Sequence, residues 1–126
     1  MPQTRVVLYC ESDGTVPFLE WFETLPAKAQ DKCVVRIERL AELGHELRRP
    51  EVDYLDNGIY ELRAKHAGMN YRMLYFFHEA VVGVISHGFM KQRAKVPKRE
   101  LEKASHRKNL FQLAPDKHTH RMKLNG

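Results

Sequence analysis

Hydrophobic positions along this chain recur first at intervals of three or four residues and later at every second residue, which predicts helices early and strands afterwards. The opening segment is the exception. Arg5-Val6-Val7-Leu8-Tyr9-Cys10 is β-branched and aromatic and is broken by Ser12-Asp13-Gly14, so it reads as a first strand ending in a turn. Pro17 suits a first helical position, and Phe18, Leu19, Trp21, Phe22 and Leu25 give a short amphipathic helix stopped before Pro26. Ala29, Cys33, Ile37 and Leu40 form the apolar stripe of a second helix. Asp31, Lys32, Arg36, Glu38, Arg39 and Glu42 decorate its remaining surface, and Gly44 supplies the stop. Leu47 to Gly58 contains Pro50, Asp53, Asp56 and Asn57 with no clear period and reads as a loop.

From Gly58 to Lys65 the pattern alternates, with Tyr60, Leu62 and Ala64 on one face and Glu61, Arg63 and Lys65 on the other. One face is therefore expected to be buried and the other charged. Ala67-Gly68-Met69-Asn70 connects to Tyr71-Arg72-Met73-Leu74-Tyr75-Phe76-Phe77, and His78-Glu79-Ala80 turns into a run from Val81 to Phe89. The result is an antiparallel meander. Its last two runs are nearly continuously apolar, as in central strands covered on both faces or over most of one. After Pro97, Lys98 to Leu110 reads as a charged helix with Leu101 and Ala104 on one stripe. The fold class expected is α+β: a small twisted antiparallel sheet, two N-terminal helices packed on it and a C-terminal helix.

With 126 residues, 43% of them hydrophobic, the chain suits one core, which we place in residues 1–110, with residues 111–126 as a loosely ordered tail. No apolar run approaches the length of a membrane span and no leader pattern opens the chain, so the expectation is a cytoplasmic protein without membrane contact. Cys10 and Cys33 have no metal or disulfide spacing and read as small buried hydrophobes. Nor is there a phosphate-binding, dinucleotide-binding, nucleophile-elbow or zinc-protease motif, and no cofactor or metal is assigned.

The net charge of +5 is unevenly placed, and its distribution says more than its sum. Residues 1–57 carry 7 basic and 11 acidic side chains, whereas residues 58–107 carry 10 and 4. An anionic partner is thus expected at the second half. Arg63 and Lys65 leave one strand face about 7 Å apart, a spacing suited to a phosphate backbone. Arg72 lies on the next strand, and Lys91, Arg93 and Lys95 follow at alternate positions. Because Leu74 and Phe76 share the face of Arg72, its guanidinium must be partnered or serve a ligand. Tyr60, Tyr71, Tyr75 and Phe89 read either as core or as stacking platforms for bases, and Tyr75 is expected to contact RNA. His87, beside Gly88 at a strand end, could exchange a proton near neutral pH or could be a hydrogen-bonded core residue.

Gly58-Ile59-Tyr60-Glu61-Leu62-Arg63, Tyr71-Arg72-Met73-Leu74-Tyr75-Phe76 and His87-Gly88-Phe89-Met90-Lys91, ending at Lys95-Val96-Pro97, together resemble the phage-derived HigB-like branch of the RelE/ParE toxin superfamily. The likeness is to an ordered pattern over about residues 5 to 107, with Gln92 where a lysine is common and Val96 where threonine is common. It implies a RelE-like fold and the toxin of a type II toxin–antitoxin pair. Such a toxin is a metal-independent endoribonuclease cleaving mRNA on the translating ribosome, neutralised by a helix-turn-helix antitoxin and meeting operator DNA only through that complex. In this reading Arg63 and Arg72 clamp phosphate, Lys91 stabilises charge or acts as acid, and His87 acts as base, while Lys65, Arg93, Lys95 and Tyr75 bind RNA. A grip on six to ten phosphates would weaken by about 10³ to 10⁵ between 50 and 200 mM salt. The alternatives are a ParE-type toxin acting on DNA gyrase, without nuclease activity, and an inactive phage-derived nucleic-acid-binding remnant.

Overall fold

The computed structural model describes residues 4–91 and 95–122, and Arg93 lies outside them. Among the described residues six strands form one sheet: β1 (Arg5–Tyr9), β2 (Val52–Asp56), β3 (Ile59–His66), β4 (Met69–His78), β5 (Val82–Met90) and β6 (Thr119–Arg121). Three α-helices flank it, α1 (Pro17–Phe22), α2 (Ala27–Leu43) and α3 (Lys98–Leu113). The class is α+β. The strand order is β2-β3-β4-β5-β1-β6, and all neighbours are antiparallel except β1 and β5, which run parallel. A purely antiparallel sheet was expected. The chain instead returns to β1 after two helices and the whole meander, long enough to arrive in the same direction.

Hydrophobic residues fill both faces of the sheet. On one face α1 and α2 pack Phe18, Cys33, Ile37 and Leu40 against Leu8, Leu62, Met73 and Tyr75. On the other, α3 brings Ala104 and Phe111 against Val7, Ile59, Leu74, Phe76 and Val84. Both cysteines are free; Cys33 is buried, which pushes its thiol pKa up to about 12, and Cys10 is half-buried. The helix expected to reach Leu25 stops at Phe22, where the Thr24 hydroxyl donates to the Trp21 carbonyl and competes with a further helical turn. No helix among the described residues is long and apolar enough to cross a membrane.

Two segments depart from the sequence reading. The expected loop from Leu47 to Gly58 contains β2, joined to β3 by Asn57 and Gly58, both at positive φ (54° and 78°). That is the two-residue hairpin turn Asn-Gly favours, since each central residue must enter the left-handed region. The expected loose tail is also anchored over its described residues, 111–122. Residues 111–113 complete α3, and β6 pairs with the outer edge of β1. His118 stacks on Tyr9, ring centroids 5.0 Å apart, while its Nδ1 lies 2.8 Å from the Cys10 carbonyl. Burying Tyr9 and satisfying an edge outweighs the polarity of this short segment.

The β4–β5 pairing contains a bulge. Leu74 pairs with His87, but Tyr75 pairs with Ile85, which leaves Ser86 as an extra residue. Before the bulge, even-numbered Val84 faces α3; after it, odd-numbered His87 and Phe89 do.

Candidate functional site

Arg63 on β3 and Arg72 on β4 are cross-strand partners, and Phe89 on β5 is the partner of Arg72. The backbone N–H of Lys91 donates to the Asn70 carbonyl one row further toward the β3–β4 turn. The bulge at Ser86 sets these odd-numbered positions of β5 on the α3 side, so Lys91 arrives on the face that carries the two arginines. Without it, strict alternation would send Lys91 to the face covered by α1 and α2.

At their centre lies Glu61, two residues before Arg63 and 0% exposed. Its Oε1 accepts from Arg63 Nε at 3.0 Å, and its Oε2 lies 3.3 Å from both Arg72 Nε and Lys91 Nζ. Asp53 on β2 accepts from Arg63 Nη2 at 3.1 Å and also pairs with Arg49. The Arg72 and Lys91 side chains are only 12% and 10% exposed. Because they share one oxygen at 3.3 Å, their charged nitrogens are at most about 6.6 Å apart. At an effective dielectric of about 20 that separation costs about 2.5 kcal/mol of repulsion, and each nitrogen's attraction to the carboxylate is about twice as large.

The three cations converge, but each is tied to an internal carboxylate, which counts against the free cradle for a ribose-phosphate chain expected from the sequence. Glu61 and Asp53 set two negative charges against the three cations, which leaves the cluster positive. Arg72 carries the least satisfied group: its Nη1 donates to the Tyr71 carbonyl, but its buried Nε–H finds no well-directed acceptor among the described residues. Burial draws the Arg72 pKa below its ordinary value, Glu61 opposes the shift and Arg63 adds to it. A guanidinium nevertheless keeps its proton at physiological pH. Beside the cluster an open cleft of about 300 Å³ is lined by Asp53, Glu61, Arg63, Lys91, Lys95 and Leu101, among others. Lys95 is exposed at its rim, and Lys65 is exposed two residues beyond Arg63 on the same face.

Two other expected site residues lie elsewhere. Tyr75, expected to contact RNA, is 1% exposed on the opposite face, stacked on Tyr60 with ring centroids 5.3 Å apart. Period-two alternation puts residue 75 on the side away from residue 72, in the α1–α2 core, where burial pushes the hydroxyl pKa up. His87 faces α3 with both nitrogens engaged: Nδ1 is 2.8 Å from Ser86 Oγ and Nε2 is 2.9 Å from Glu100 Oε1. The carboxylate can only accept, so Nε2 carries the proton and Nδ1 accepts from the serine hydroxyl. Burial, aided by Arg107 and Lys103 and opposed by Glu100, pushes the His87 pKa down to about 4. The assignment of His87 as base is therefore corrected: neither nitrogen is free for a ribose hydroxyl.

The residues missed from the sequence are Glu61 and Asp53. A signal for Glu61 existed in its alternation with Arg63 on the face that Leu74 and Phe76 make apolar, because a buried cation there required a partner. Asp53 has no such signal, because the segment from Leu47 to Gly58 shows no clear strand period.

The family model described as phage derived protein Gp49-like matches residues 20–109, a span that includes Asp53, Glu61, Arg63, Arg72, Lys91 and Lys95. No curated protein matches the chain.

Proposed function

We propose, because the chain belongs to the phage-derived Gp49-like family, a family of toxin–antitoxin type, that it is the toxin of such a pair and a metal-independent endoribonuclease acting on mRNA at the translating ribosome. The observation that carries this reading is the set of three cations gathered on one carboxylate, two of which, Arg63 and Lys91, line an open cleft. Cleavage through the 2′-hydroxyl piles negative charge onto a pentacoordinate phosphorane, and pre-positioned cations stabilise that charge more than the ground-state diester. Arg63 and Arg72 hold the non-bridging oxygens, and Lys91 neutralises the phosphorane and protonates the departing 5′-oxygen. With His87 engaged by Ser86 and Glu100, the 2′-hydroxyl proton leaves to water. Lys65 and Lys95 hold flanking phosphates. A helix-turn-helix antitoxin is the partner that silences the activity.

Controlled induction tests this reading. Growth is expected to stop, with transcripts cut inside coding regions, and Arg72→Ala or Lys91→Ala is expected to lower cleavage by about 10² to 10³ while the protein stays folded. Normal growth with intact transcripts, from soluble wild-type protein, overturns the proposal. Gyrase-linked DNA breaks in place of mRNA cuts would transfer the chain to the ParE-type alternative.

A further inference from the structure

We infer that Glu61 is a positioning residue of this site, one that holds Arg63, Arg72 and Lys91 in the arrangement suited to the phosphorane at the expense of affinity for intact RNA. The inference rests on the functional reading above and adds to it the origin of the site's geometry.

The argument begins with what the three cations would do alone. Arg72 and Lys91 have flexible stems, and two like charges within about 6.6 Å drive each other outward toward water. Only a negative charge between them keeps both long side chains in one place. Glu61 is where that charge must be, at the base of the cleft and in ion-pair contact with all three donors. Its grip is incomplete in an informative way. The Arg72 Nε–H lies within ion-pair distance of Oε2 yet is not directed at it, so it is held in position with hydrogen-bonding capacity left over. The same carboxylate repels any phosphate in the cleft, which it lines. It therefore weakens ground-state binding while ordering the groups that meet the transition state. A residue needed only for folding would alter binding and turnover together.

The test compares wild type, Glu61→Gln and Glu61→Asp on mRNA programmed on ribosomes, reading the maximal single-turnover rate and the half-saturating protein concentration. Affinity for a 2′-O-methyl RNA strand is measured in parallel, and unfolding by urea checks the fold. For Glu61→Gln we expect the maximal rate to fall at least tenfold, the half-saturating concentration not to rise, and the uncleavable strand to bind more tightly with a steeper salt dependence. Should Glu61→Gln not fold, Glu61→Asp keeps the charge but withdraws it by one methylene, and its rate is expected to fall at unchanged affinity. An unchanged rate in a folded variant, or rate and affinity falling in step, overturns the inference while leaving the nuclease reading intact. Wild-type protein that cleaves no RNA removes both.

Discussion

The imidazole of His87 sits between Ser86 and Glu100 with no water-facing nitrogen, and charging it there works against burial. In the unfolded chain the same group titrates near 6.5; in the folded protein its pKa is pushed down to about 4. As pH falls through that window the unfolded state takes up a proton that the folded state refuses, so stability is full above about 6.5 and is lost toward 4. Wild-type protein is expected to lose more of its urea midpoint between pH 7 and pH 5 than His87→Gln does. Equal losses would assign the acid sensitivity to other groups. Residue type and neighbours in sequence could not foretell this, because His87 meets Glu100 across 13 positions. Arg72 was more legible: alternation put it among apolar side chains, and a buried guanidinium demands a partner. Which carboxylate answered depended on the cross-strand register.

At the scale of elements, the meander and the two N-terminal helices were legible because their periods of two and of three to four persist over several turns or residue pairs. β2 was not. Its sequence offers alternate burial over five residues only, interrupted by acidic side chains suited to a sheet edge. The Asn57-Gly58 turn was nevertheless readable as a hairpin signal once a strand was allowed on each side of it. The bulge at Ser86 had no local signature, yet it decides which face Lys91 occupies. Gly88, two residues further along β5, is required for a steric reason: a Cβ there would lie within the Trp21 ring of α1. Gly88→Ala is expected to destabilise by about 1 to 3 kcal/mol, as overpacking does, and Trp21→Leu should remove much of the penalty. The measurement is urea unfolding of both single variants and the double variant; strictly additive losses would show that the ring is not the obstacle.

For the molecule as a whole, the excess of basic side chains in the second half marks the cation-bearing face, and the tertiary structure sets how much of that charge is free. Among the described residues Arg63, Lys65, Arg72, Lys91 and Lys95 share this region with Glu61 and Asp53, a surplus of three positive charges. At about 0.7 per phosphate for a single strand, log affinity should fall with log salt at a slope of about −2, roughly a sixteenfold loss between 50 and 200 mM. Titration of a single-stranded RNA across that range checks the value; a flat response would show that the surplus does not meet phosphate. The figure is far below the loss expected from six to ten contacts, since two internal carboxylates take part of the charge and the count covers the described residues alone, without Arg93. The sequence by itself determined the α+β class, the order of the helices and meander, and the clustering of cations late in the chain, because local periodicity and composition encode these without reference to distant residues. Only the tertiary structure decided the parallel β1–β5 pairing, the face given to Lys91, the withdrawal of His87 and Tyr75, and the placing of Glu61 at the centre. Each of these follows from pairing between segments far apart in the chain, where register and burial override what any one strand prefers.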